Sequence, residues 1–184
     1  EQIIGAQPAN AIKAALDPFM PRAADGLLPE IQEAREAGDL TGALAAVTAA
    51  LESDADDARL SLLQADIMLD LGDIKGAQSV LGQLPVVVAT GDEAKRLEGR
   101  ILLAEHAKNL IEDNDIGQRF QQAAQLAMGG ELDEALEILL ELILAHRDWQ
   151  DVLVRETIVN IFALMDDDDQ RLKTYRTRLA RTLN

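Results

Sequence analysis

Apolar residues in this chain recur at helical spacing, most clearly over residues 130–147. Leu132, Ala135, Leu136, Leu139, Leu140 and Ile143 form one face at i, i+3, i+4, i+7 spacing. Ile138, Leu142 and Leu144 add apolar surface on other faces, so this helix is expected to meet more than one neighbour. Glu131, Asp133 and Glu134 at its start and Arg147 at its end match the polarity of a helix dipole. The opening phrase occurs three times. Gly38-Asp39-Leu40 is followed by Ala43, Val47 and Ala50, and Gly72-Asp73-Ile74 by Ala77, Leu81 and Leu84. Gly130-Glu131-Leu132 is followed by Ala135, Leu139 and Leu142 at identical offsets.

Gly38 and Gly72 are 34 residues apart, the period of the tetratricopeptide repeat, a helix–turn–helix unit that these phrases resemble. The glycine permits the tight turn, the apolar residue after the acid plugs the hairpin, and the alanine lets the second helix approach the first. The first helices depart from that repeat. Leu27, Ser61 and Arg119 stand where an aromatic is expected, so the repeats are degenerate. The expected helices run over 27–37, 41–52, 57–71, 75–83, 93–111, 152–165 and 170–183, with the third hairpin spanning 118–145. A further helix opens at Pro8 and presents Ala11, Ile12, Ala15, Leu16 and Phe19. Gly72 and Gly130 are 58 residues apart, so helix 93–111 is inserted between repeats or replaces part of one. Val86–Ala89 is β-branched and has no second strand to pair with, which predicts an extended connector. The fold expected is all-α, a solenoid of degenerate helical hairpins capped by the C-terminal helix.

Composition sharpens this picture. The chain has 184 residues, 48% hydrophobic but only 3% aromatic, which suits helices in close contact. No apolar run approaches the length of a membrane span, so no membrane association is expected. The chain has no cysteine, which removes disulfide and thiol chemistry from this sequence and fits a reducing, cytoplasmic compartment. Glu1-Gln2-Ile3-Ile4-Gly5 lacks both a basic leader and an initiator methionine, and is expected to be the start of an excised piece. The net charge of −16 is uneven. Residues 1–170 hold 12 Lys/Arg against 33 Asp/Glu, a balance of −21, and the last 14 residues hold five bases and no acid. An acidic bulk repels phosphate backbones, so nucleic acid is not an expected partner. The basic end fits either a surface for phosphate or for acidic groups, or a final helix whose cations answer Asp166–Asp169 at its start.

No catalytic, metal or cofactor constellation emerges, and the chain is not expected to be an enzyme. His106 and His146 stand alone on helices, without H-E-x-x-H spacing. Calcium loops starting at Asp113 or Asp166 would need glycine at the sixth position and glutamate at the twelfth. They carry Gln118 and Ala124, and Arg171 and Thr177. Trp149 is expected to pack a corner of the core. What remains is surface: a groove of stacked hairpins, with Met68, Leu126 and Met128 as candidate apolar lining or simply core. A carboxylate-binding groove is not supported, because few cations fall on the first helices.

The C-terminal third is more specific. Asp148-Trp149-Gln150-Asp151, Arg155, Phe162, the acidic break, and Tyr175-Arg176-Thr177-Arg178-Leu179 resemble the end of the chaperedoxin family (the YbbN/CnoX type). Ile4-Gly5-Ala6-Gln7-Pro8 and the helix to Phe19 resemble the end of that family's thioredoxin domain. The resemblance implies residues 1–19 as a thioredoxin-fold remnant, 20–26 as linker and 27–184 as the tetratricopeptide-like domain. It implies a holdase that binds unfolded client proteins and docks on the chaperonin through its last helix. Tyr175, Arg176, Arg178, Leu179 and Leu183 would then be the partner-binding residues. Any redox function would lie upstream, since the thioredoxin cysteines are absent. The alternative is a static scaffold that positions a thioredoxin domain against one defined protein partner. In both cases a monomer is expected.

Overall fold

The structure, a computed structural model, describes residues 26–165 and 168–182. The expected thioredoxin remnant, most of the linker, and Leu183 lie outside the described residues. Within them the chain is all-helical, and it divides after Asp57 into two compact units.

The helices described in the first unit are the hairpin α1 (Leu28–Glu36) and α2 (Leu40–Ser53). Ile31, Ala43, Val47 and Ala50 are its buried side chains. Pro29 sits in the first turn of α1, where its missing N–H leaves no bond unmade. The second unit begins with the hairpin α3 (Ala58–Asp70) and α4 (Ile74–Leu81). The one-turn helix α5 (Val86–Ala89) and the long helix α6 (Asp92–Lys108) follow. A third hairpin is α7 (Asp115–Met128) and α8 (Leu132–Ala145), and α9 (Asp151–Phe162) and α10 (Gln170–Thr182) close the chain.

The three turns are built alike. Gly38, Gly72 and Gly130 have φ of +81°, +77° and +86°. Each donates its N–H three residues back, to Arg35, Leu69 and Ala127, and the next residue donates five back, to Ala34, Met68 and Leu126. This is the Schellman termination, and the left-handed backbone it needs is the reason for glycine. The acid after the glycine starts the second helix. Asp39 and Asp73 also cap it, accepting from the N–H of Gly42 at 2.8 Å and of Gly76 at 3.0 Å. Glu131 does not cap. Asn114 caps α7 in the same manner, accepting from Gly117 at 2.8 Å. This cap starts the third hairpin at Asp115 rather than at Gln118.

Val86–Ala89 is a correction: it is a helical turn, not an extended connector. Pro85 fixes its entry, Ala89 and Thr90 donate backbone N–H groups to Pro85 and Val86, and the Thr90 hydroxyl donates to Val86. By coiling, the segment pairs these backbone groups within itself and needs no neighbouring strand.

α6 organises the second unit. Leu97, Ile101 and Ala104 pack with Ala65 and Leu69 of α3 and with Ala77 and Leu81 of α4. Leu103 points into a second, larger core made by α7, α8, α9 and α10 around Phe120, Leu136, Leu139 and Leu140. An ion-pair cluster fixes α6 against α3. Arg100 pairs with buried Asp66 and, at 2.8 Å, with Asp70. Arg96 lies 3.9 Å from Asp66 and pairs with Glu93 at 2.6 Å. A partly buried cluster of this kind does more for register than for net stability. α9 packs against both α6 and α8, so α6, α7, α8 and α9 form a closed ring of neighbours, with α10 laid on α8. The inserted helix is thus a shared wall between the repeat hairpin α3–α4 and the C-terminal cluster.

Candidate partner-binding site

α10 has two faces, and they are used differently. Leu172 and Tyr175 are buried against the large core, and Leu179 is half-buried on it. Along that side, Arg171 pairs with Asp133 of α8 at 2.6 Å and with Asp169 at 2.7 Å. Arg178 pairs with Glu137 of α8, one contact being 2.7 Å, and lies 5.3 Å from the centre of the Tyr175 ring. The Tyr175 hydroxyl donates to Glu137 at 3.3 Å. Burial, and then the carboxylates of Asp133 and Glu137, push the Tyr175 phenol up to about 12, so it stays a donor. The Arg178 guanidinium holds the Glu137 carboxyl below its ordinary value. This side is an internal latch. The opposite face carries Lys173, Arg176, Thr177 and Ala180, all exposed.

That outer face borders a groove of about 1030 Å³ between α6, α9 and α10. Buried Phe162 and Met165 form its base. Leu102 and Val159, 41% and 55% exposed, face into it, with Leu179 and Ala180 along the α10 side. The α6 wall carries Asp92, Glu93, Lys95, Arg96 and Glu98; the α10 wall carries Arg176. Gly99 sets the spacing of α6 and α9, since a Cβ there would come within 3.3 Å of Asn160. A second hollow of about 520 Å³ continues over the outer face of α10 past Lys173 and Thr177, sharing Arg176 and Ala180 with the first. An apolar base rimmed by charges is the usual form of a protein-contact surface.

The candidates from the sequence are thus divided. Tyr175 and Arg178 belong to the latch, Leu179 joins latch to groove, Arg176 stands at the groove's edge, and Leu183 lies outside the described residues. Met68 packs on the smaller core and Leu126 on the larger, while Met128 is exposed, so the three do not line one surface. His106 and Trp149 flank Phe120 edge-on, with centres at 5.3 and 5.8 Å, in a core corner. Burial lowers the His106 pKa. The Trp149 indole N–H is buried without a well-aligned acceptor. It still contributes most, ahead of Gln150 and Asn114, to lowering the Glu112 pKa. Gln150 takes a left-handed φ of 46° and donates to Glu112 at 3.3 Å, as does Asn114 at 2.8 Å, which ties the α6–α7 loop to the α8–α9 corner. Among the described residues no group of three or more His, Cys, Asp or Glu is placed to hold a metal, and no helix is long and apolar enough to cross a membrane.

Sequence reasoning missed Leu102 and Val159. A signal was present: each sits beside a core residue, Ile101 and Ile158, and falls off that helix's buried stripe. Apolar residues off the stripe are the ones left facing outward.

Helical hairpins with a common turn and an apolar groove define a helical-repeat protein built for contact with other proteins. Two family models, both described as tetratricopeptide repeat, match the chain over residues 34–101 and 102–184. Residues 34–184 therefore carry tetratricopeptide repeats, and the chain is a protein–protein interaction module. Among curated proteins none matches it significantly.

Proposed function

We propose that this module belongs to a thioredoxin-linked co-chaperone, holds apolar segments of unfolding client proteins in the α6–α9–α10 groove, and docks on the chaperonin through α10. The observation that carries the client reading is the groove itself. Leu102 and Val159 stand exposed above a buried apolar base, so an apolar segment laid in the groove removes apolar surface from water on both sides. The chaperonin reading rests on the sequence resemblance of the C-terminal end, now confined to the outer face of α10 because Tyr175 and Arg178 are engaged with α8.

Aggregation of an unrelated unfolding protein, followed by light scattering, tests the client reading. The chain is expected to suppress it, and Leu102→Asp with Val159→Asp to abolish suppression. The helical circular dichroism signal should persist, because both residues are exposed. Chaperonin pull-down should in turn weaken on Arg176→Glu. No suppression by the unaltered chain would leave the scaffold reading, which the α8–α10 latch favours by making α10 a fixed cap.

A further inference from the structure

The groove is electrically lopsided, and this bears on what fits it. On the α6 wall Asp92, Glu93 and Glu98 outnumber Lys95 and Arg96, and Arg96 already pairs with Glu93 at 2.6 Å. On the α10 wall the only charged side chain is Arg176, and Lys173 stands one turn earlier in the adjoining hollow. Of the other three bases of α10, Arg171 and Arg178 face α8 and are neutralised by Asp133, Asp169 and Glu137, and Arg181 is exposed in the last turn, outside both hollows. Among the described residues of α10, Arg176 borders the apolar base and Lys173 lines the adjoining hollow, where the acid Asp169 is already paired with Arg171. An apolar segment entering here has its side chains received by Leu102, Val159, Phe162 and Met165. Whatever flanks it on the α10 side meets positive charge.

We propose that the groove selects partner segments in which an aspartate or glutamate adjoins the apolar residues, the acid seated against Arg176 and Lys173. The proposal rests on the groove being the partner site. The field of the whole chain predicts the opposite preference, because a net charge of −16 repels acidic peptides. A preference for acid would therefore be local in origin.

The test uses three short fluorescent peptides that share one apolar core and are flanked by aspartate, asparagine or lysine, with binding to the whole chain read by anisotropy. The aspartate peptide is expected to bind about fivefold tighter than the lysine peptide at low salt, the difference shrinking as salt rises. Lys173→Glu with Arg176→Glu should reverse the order, with unchanged circular dichroism since both side chains are exposed. Val159→Asn, which adds no charge, should weaken all three peptides alike. If the peptides rank equally, or the double reversal leaves the order unchanged, the acid preference is overturned while loss of binding in Val159→Asn keeps the groove as the site. If no peptide binds, or Val159→Asn changes nothing, the groove reading falls and the preference with it.

Discussion

The hairpins α3–α4 and α7–α8 begin from the same turn and end in different surroundings. Gly72 and Gly130 share the left-handed backbone and the paired hydrogen bonds, and Ala77 and Ala135 are both fully buried five residues on. α4 is eight residues long and packs on α3 and α6. α8 is fourteen residues long and meets α7, α9 and α10. The local code fixes the turn, while the load of large apolar residues after it sets how many neighbours a helix gathers. With Leu136, Leu139, Leu140, Leu142 and Ile143 all buried, α8 is exposed only at Glu134, Glu141, Leu144 and Ala145, and α4 has only Ile74, Ala77 and Leu81 buried. The groove proposed for partners lies at the edge of the denser region, where α9 and α10 cover the larger core.

The sharpest break in this comparison comes from truncating one repeat position in both hairpins. Leu139 and Leu81 each stand nine residues after the turn glycine. Leu139 is wholly enclosed in the large core, whereas Leu81 is 7% exposed at the edge of the small one. Leu139→Ala is expected to cost about 4 kcal/mol and Leu81→Ala about 2 kcal/mol, because the denser site collapses less around the cavity. Urea unfolding of both variants measures this, and equal losses would mean that the neighbours of α8 add nothing.

A smaller effect separates the turns themselves. A Cβ at Gly42 or Gly76 would run into the capping carboxylate of Asp39 or Asp73, so these caps require glycine three residues on. The third turn has Glu134 at that place, and Glu131 forms no side-chain cap. Asp73→Ala should then cost about 1 kcal/mol and Glu131→Ala close to nothing. Gly76→Ala should be nearly neutral, since the helix preference for alanine, about 1 kcal/mol, is offset by the lost cap. The same change made in Asp73→Ala should stabilise by about 1 kcal/mol. A double-mutant cycle by thermal unfolding reads the coupling, and strict additivity would show that cap and glycine are independent.

These caps mark how far the sequence was legible. The glycines, the hairpins and the apolar faces could be read from spacing alone, because each depends on neighbours within a turn or two. The pattern of Asp or Asn followed three residues later by glycine, at Asp39, Asp73 and Asn114, was equally readable and announces the cap. Val86–Ala89 misled because β-branching argues for a strand only where another strand can pair with it. The groove was out of reach. Its apolar members Leu102 and Val159 are 57 positions apart, and what brings them together is the close passage of α6 and α9 at Gly99 and Asn160. The division of the basic helix into an engaged and an outward face likewise depends on α8, whose Asp133 and Glu137 lie 38 residues before their partners Arg171 and Tyr175.

The smallest effect concerns that division and is read by acid. Glu137 titrates below its ordinary value, first because Arg178 bonds its charged form, so its contribution is complete above the unfolded carboxylate pKa of about 4.3 and is lost as pH falls through the lower folded value. Asp169, held down by Arg171, moves in the same direction. Asp133 also faces this side of α10, through Arg171. Both partners of the Glu137–Arg178 pair are more than a third exposed, so the latch is worth at most about 1 kcal/mol. Global unfolding is a poor readout, because protonating an excess of acids also relieves repulsion across a chain of net charge −16. Amide exchange in α10 relative to α7, corrected for intrinsic rates, isolates the local term. Exchange in α10 should quicken by about threefold between pH 6 and pH 3.5, and Glu137→Gln should show the faster rate already at pH 6 with little further change. An α10 whose protection is indifferent to both would be held by Leu172 and Tyr175 packing alone, and its two faces would then differ in burial but not in charge.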